Sequence, residues 1–158
     1  YYYSEAAQVG ALVNAGADGI VLLNRFYQPD IDINELEVTP HVHLSDSSAI
    51  TLPMRWIAVL HGRVKASLAA SSGVHTADDA IKLLMAGADV TMMCSSLLKR
   101  GPEHLKEVLE GIEKWMFEHE YVSVEQMKGS MSHKSVRDPS AFERANYMKA
   151  LNRYKMLM

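Results

Sequence analysis

Apolar positions along the first 120 residues fall into two spacings that take turns. Val9, Leu12 and Val13 share one face at helical spacing, with Ser4 as N-cap, Glu5 in the first turn and Gly16 as the stop. Gly19-Ile20-Val21-Leu22-Leu23-Asn24 is an apolar run of strand length, which predicts a parallel strand covered on both faces. Residues 25–52 lose any period and hold Pro29, Pro40 and the Ser45–Ser48 cluster. A long connection after a strand is more often functional than idle. Pro53 can open a helix at its first position, with Trp56, Ile57 and Leu60 on the apolar face, and Val64–Ala70 follows as a strand. Thr76-Ala77-Asp78-Asp79 matches a capping box ahead of Ile81, Leu84 and Met85, and Gly87 ends that helix. Asp89–Cys94 reads as a third buried strand. Gly101-Pro102 opens a long helix on which Leu105, Val108, Leu109, Ile112, Trp115 and Met116 keep the clearest helical period in the chain.

Helix and strand alternate, so the class is α/β with parallel pairing. Leu12-Val13-Asn14-Ala15-Gly16-Ala17-Asp18 is echoed by Leu83-Leu84-Met85-Ala86-Gly87-Ala88-Asp89, 71 residues later and again just ahead of a strand. That offset suits two βα units of a barrel, and two copies alone are too few to exclude a doubly wound open sheet. The pattern changes after Glu120. Residues 121–158 hold 7 Lys and Arg against 3 Asp and Glu, whereas residues 1–120 hold 9 against 16. The basic tail, with Phe142, Ala145, Met148 and Leu151 on one side of a possible helix from Ala141 to Tyr154, suits packing on the acidic body or on a partner subunit.

Composition adds mainly exclusions. With 158 residues, 48% of them hydrophobic and 22% charged, the chain is an ordinary globular one with room for a core. Its net charge of −3 gives no field that would call for nucleic acid. Asp18, Arg25, Lys82 and Asp89 interrupt the apolar stretches, so no spanning helix and no membrane are expected. The one cysteine, Cys94, precludes an intrachain disulfide and fits a reducing, cytoplasmic compartment. The chain begins Tyr1-Tyr2-Tyr3-Ser4, without Met or a signal-peptide core, which suggests a processed terminus or a piece of something longer.

Candidate chemistry collects after the strands. Ser71-Ser72-Gly73 ends one strand ahead of a capped helix, and Cys94-Ser95-Ser96 ends the next. Small residues, free amides and a glycine able to take positive φ suit a phosphate, and consecutive βα loops of a barrel commonly share one. A Ser/Gly turn before a helix is also an ordinary cap. Asn24 sits at the carboxyl edge of its strand, where its amide could hold a flat polar ligand or simply cap the loop. His41 and His43 lack a third metal ligand in sequence and suit a surface pair. His75 could touch a phosphate but is expected, like most turn histidines, to be solvated; Cys94 suits a small core residue better than a nucleophile, and the 10 Met residues suit core filler.

Several of these segments resemble dihydroorotate dehydrogenases, and the related dihydroorotate dehydrogenase-like flavoproteins of bacteria in particular. They are Gly16–Asn24, Ser72-Gly73-Val74-His75-Thr76-Ala77-Asp78-Asp79-Ala80, Ala86–Val90, Gly101-Pro102, Asn24–Asp30 and Ala141–Tyr147, in order along nearly the whole chain. The resemblance implies an α/β fold that is the C-terminal portion of an FMN-binding (βα)8 TIM barrel. Residues 1–125 would supply about three parallel strands with helices, and residues 126–158 a basic helical tail. It implies that backbone amides at Ser72, Gly73, Cys94 and Ser95 hold the FMN phosphate. Asn24 would hold a pyrimidine-like substrate, with a looser place for Ser47-Ser48 near the flavin. The family reaction oxidises dihydroorotate to orotate in pyrimidine biosynthesis: a base takes a proton and the flavin accepts hydride. The family's base and flavin-facing Lys lie on earlier strands unmatched here, so no catalytic residue is expected in this chain and the chain alone is expected to be inactive. Many family members carry Gly-Gly where Ser72-Gly73 stands and Gly-Thr where Cys94-Ser95 stands. Homo-oligomerisation or a missing barrel half would cover the open faces. A non-catalytic phosphate-binding half-barrel module and an assembly subunit are the alternatives.

Overall fold

The computed structural model describes residues 5–24, 27–143, 146, 147 and 152. Three parallel strands, β1 (Gly19–Leu22), β4 (Ser67–Ser71) and β5 (Val90–Met92), form one sheet in the order β1-β4-β5. Helices α1 (Glu5–Asn14), α2 (Thr51–Leu60) and α3 (Ala77–Ala86) connect and cover it, followed by α4 (Ser95–Arg100), α5 (His104–Glu118) and α6 (Val124–Met127). Between β1 and α2 lie an antiparallel hairpin, β2 (Asp30–Asp32) with β3 (Glu37–Thr39), and a 3-10 turn at Ser47–Ile50.

Among the described residues only one face of the sheet is covered, which corrects the expectation of strands buried on both sides. Ile20, Leu22, Leu68 and Ala70 point into a core shared with Ile57, Ala58, Leu60, Ala80 and Leu83. The opposite face carries the cross-strand row Val21–Ala69–Val90, and beyond it Ser71 beside Met92. Val21 is 55% exposed, Val90 52% and Met92 45%. An all-parallel sheet needs both faces covered, so this apolar row is the part of the architecture that three strands cannot close.

The 71-residue echo is a shared helix ending. Gly16 N–H donates to Val13 and Ala17 N–H to Leu12; Gly87 N–H donates to Leu84 and Ala88 N–H to Leu83. Both glycines have positive φ, 102° and 120°. The repeated sequence therefore encodes the same stop, in which a glycine reverses the chain and satisfies the last carbonyls before each strand. The capping box of α3 also forms as expected between Thr76 and Asp79. Two details differ. Pro53 stands at the third position of α2, still within the first turn where no amide is needed. The expected strands shrink by two or three residues because only β1–β4 and β4–β5 pairs hold them.

The amino-terminal side of the sheet is closed by the chain after α6. Gly129 N–H donates to Leu84, Met131 to Met85 and His133 to Ala58, which pins residues 129–133 across α2 and α3. His61, just past α2, is wedged between this strap and α3: its Nδ1 lies 3.1 Å from the Gly87 carbonyl. A Cβ at Gly87 would fall 2.4 Å from the ring, and one at Gly129 2.2 Å. Lys128 bridges Asp89 and Glu125, at 2.9 Å each. The helix expected over Ala141–Tyr154 begins with a 3-10 turn at Pro139–Phe142 and otherwise falls mostly outside the described residues.

Candidate functional site

Parallel strands send all their carboxyl ends to one edge, so the loops after β1, β4 and β5 converge there. They line a single pocket of about 460 Å³. Asn24, Ser72, Gly73, Cys94 and Ser95, the five residues singled out from the sequence, all contribute to its wall. The three loops are tied to one another. Ser72 Oγ donates to the Leu23 carbonyl at 3.2 Å, linking the ends of β1 and β4. The Gly73 amide reaches Ser45 Oγ at 3.4 Å, and the Ser45 amide donates to Ser95 Oγ at 3.1 Å, linking the ends of β4 and β5.

The backbone at the β4 turn is unusual. Ser72 and Gly73 have φ of 80° and 82°. Gly73 is required by space as well as by φ, since a Cβ there would meet the Ile50 amide nitrogen at 2.5 Å. Ser72 adopts the same left-handed conformation with a side chain, a cost of order 1–3 kcal/mol that persists only where the surroundings enforce it. Its hydroxyl bond to Leu23 is one such constraint.

Sequence reasoning missed Ser45, His75 and Lys99 as a group. His75 is 7% exposed, where a solvated turn residue was expected. Its ring Nε2 lies 3.2 Å from Ser45 Oγ, and its carbonyl faces His104 Nε2 at 2.7 Å. Burial, helped by the charge of Lys99 and opposed by Asp79, pushes the His75 imidazole below its ordinary pKa and so disfavours its charged form. Lys99 Nζ donates to the Ser45 carbonyl at 2.8 Å. Asp79 is spent on structure: its Oδ2 accepts from the His75 and Thr76 amides and from Ser47 Oγ. The only hint in the sequence was the serine cluster itself, because contacts 30 and 54 residues away leave no local pattern.

Other candidates settle differently. Cys94 is exposed and lines the pocket, so it is not core filler. Met92 also lies open, whereas Met127 is fully buried. His41 and His43 stack edge to face with ring centroids 4.0 Å apart on the pocket wall. Among the described residues no group of three or more His, Cys, Asp or Glu could hold a metal ion. None of the described helices is long and apolar enough to cross a membrane.

Comparison with known proteins points the same way as the pocket. No family model matches the chain. The dihydroorotate dehydrogenase B (NAD(+)) catalytic subunit of Endomicrobium trichonymphae is 26% identical over 122 residues, 75% of this chain and 40% of that protein. The subunit of the same name from Pelobacter propionicus is 25% identical over 124 residues, 77% of this chain and 40% of that protein. The chain is dihydroorotate dehydrogenase-like. A ligand-free dihydroorotate dehydrogenase structure from Eimeria tenella superposes with a TM-score of 0.63 at 18% identity, over 82% of this chain and 37% of that one. The dihydroorotate dehydrogenase-like chain is thus α/β and forms a three-stranded portion of a (βα)8 barrel. It spans about two-fifths of the length of the curated relatives it matches.

Proposed function

We propose that this chain is the phosphate-gripping portion of an FMN-dependent oxidoreductase that dehydrogenates dihydroorotate or a similar pyrimidine-like ring. One observation carries the reading: the ends of three neighbouring strands bring Asn24, Ser72, Gly73, Cys94 and Ser95 to one pocket. The donor set fits the phosphate end of FMN. Two turns of small residues line the pocket, and the carbonyl of Ser45, another lining residue, accepts from the Lys99 ammonium. Bound there, FMN would supply the two-electron acceptor for removing two hydrogens across a carbon–carbon bond. The chain's own residues anchor and orient: the β4 and β5 turns hold the phosphate, and the Asn24 amide at the end of β1 orients the heterocycle. The proton acceptor and the remaining barrel strands are assigned to residues outside this chain, so residues 1–158 alone are inactive. In this reading residues 1–125 are the barrel portion, residues 126–158 its tail, and the protein works in the cytoplasm.

The test is spectroscopic. Full-length protein is expected to be yellow and to bleach when dihydroorotate is added without oxygen. Asn24→Ala is expected to slow bleaching on the order of tenfold or more while leaving the flavin bound, because one amide's hydrogen bonds to substrate are lost. Bleaching that Asn24→Ala leaves unchanged removes Asn24 from substrate binding. A colourless protein that takes up inorganic phosphate and no flavin would favour the non-catalytic phosphate module. The Gly73 amide, already directed at Ser45 Oγ, is compatible with that simpler ligand.

A further inference from the structure

Neither phosphate turn carries a full positive charge of its own. The chain supplies one from the far side of Ser45. Lys99 lies in the last turn of α4, and its Nζ donates to the Ser45 carbonyl at 2.8 Å. Ser45 is 5% exposed, lines the pocket, and touches both turns, through Gly73 on one side and Ser95 on the other. The ammonium is thereby tied to the residue that contacts both turns. Its charge is felt across this space: it helps lower the His75 pKa and acts on the Asp46 carboxyl.

The local balance makes that charge consequential. Asp46 follows the pocket-lining Ser45, and Asp79 accepts from the amide of His75, which follows the pocket-lining Val74. Asp79 already accepts from two amides and a hydroxyl, and Asp46 from the Ser48 amide and hydroxyl. Burial disfavours the charged form of His75. Among the described residues, the Lys99 and Arg100 charges both act on His75 beside the β4 turn, where they would offset these carboxylates toward a phosphate dianion. Lys99 is exposed, so water screens its charge, but an opposite charge still favours a dianion nearby.

We infer that Lys99 is the selectivity residue of this pocket: held by Ser45 between the two turns, it makes the site prefer a phosphomonoester to the same ligand without its phosphate. The inference deepens the flavin reading above and rests on it for the choice of ligand. It requires only that the pocket take a phosphate.

The experiment titrates full-length protein, freed of bound flavin, with FMN, riboflavin and inorganic phosphate, using flavin fluorescence for the first two and calorimetry for the third. Lys99→Gln is expected to weaken FMN roughly tenfold or more and to leave riboflavin within about twofold, as the loss of one charge-assisted contact predicts. The salt dependence of FMN binding should flatten, and Lys99→Arg should restore both. A merely structural role would weaken FMN and riboflavin together. That result, or unchanged FMN binding in Lys99→Gln, overturns the inference while leaving the flavin reading in place. Phosphate binding that depends on Lys99, in a protein that takes neither flavin, supports the inference and overturns the flavin reading. A protein that binds none of the three overturns both.

Discussion

At the scale of single residues, the β4 turn decides whether the site exists. Gly73 is locked twice, by φ of 82° and by the Ile50 amide that fills the space of any Cβ. Gly73→Ala is expected to cost roughly 2–4 kcal/mol, from the left-handed backbone and the displaced 3-10 turn together. Urea unfolding measures it, and a loss below about 0.5 kcal/mol would mean that the Ser47–Ile50 turn moves aside freely. The site residues were legible here for a simple reason. Strand ends announce themselves through apolar runs that stop at small or polar residues, and parallel pairing then sends every such end to one edge. Ser45, His75 and Lys99 were not legible, because their contacts cross from one loop to another. A histidine at a turn reads as solvated until the residue that covers it is known.

At the scale of elements, the helix stops carry as much of the fold as the helices. The motif at Gly16-Ala17-Asp18 and Gly87-Ala88-Asp89 was readable as a repeat because the same backbone geometry needs the same glycine. Its final aspartate has an added role in the second copy. Asp89 Oδ2 accepts from the Leu68 amide at 2.8 Å and Oδ1 from Lys128 at 2.9 Å. Burial pushes the Asp89 carboxyl up, but the Leu68 amide and the Lys128 charge outweigh it and hold it below the usual carboxylate range. A folded pKa below the unfolded one stabilises fully above the unfolded value, near 4, and is lost as pH falls through the folded value. Thermal midpoints measured below about pH 4 should therefore fall more steeply for the wild type than for Asp89→Asn, which has no charge to lose there. Equal acid limbs would show that Asp89 contributes nothing pH-dependent. The expected apolar face of α5 is only partly used: Val108 is buried and Ile112, Trp115 and Met116 pack inward, whereas Leu105 and Leu109 are exposed. A helical period marks which residues can share a face. It does not say how wide a face the neighbours will cover.

At the scale of the whole molecule, the unfinished sheet dominates. The row Val21–Ala69–Val90 and Met92 form an apolar surface flanked by two strands, β1 and β5, that among the described residues each pair on one side only. Such a surface joined to open strand edges favours association. The isolated 158-residue chain is expected to run above monomer mass in light scattering, and Val21→Lys with Val90→Lys to shift it toward monomer. A wild-type chain that stays monomeric at high concentration would mean that the row is covered from within. The sequence alone suggested both strand faces buried, because an apolar run records what a strand is built to meet, and three strands leave one of those faces unmet. The opposite end of the sheet is finished and tightly so. The His61 ring fills the space between Gly87 and Gly129, which come from different elements, so neither glycine can gain a side chain unless position 61 gives up its imidazole. Those three sites make up one unit of inheritance: in a lineage of such chains they are free to drift only together, while the ligand-facing rim, which shares none of them, can change its chemistry independently.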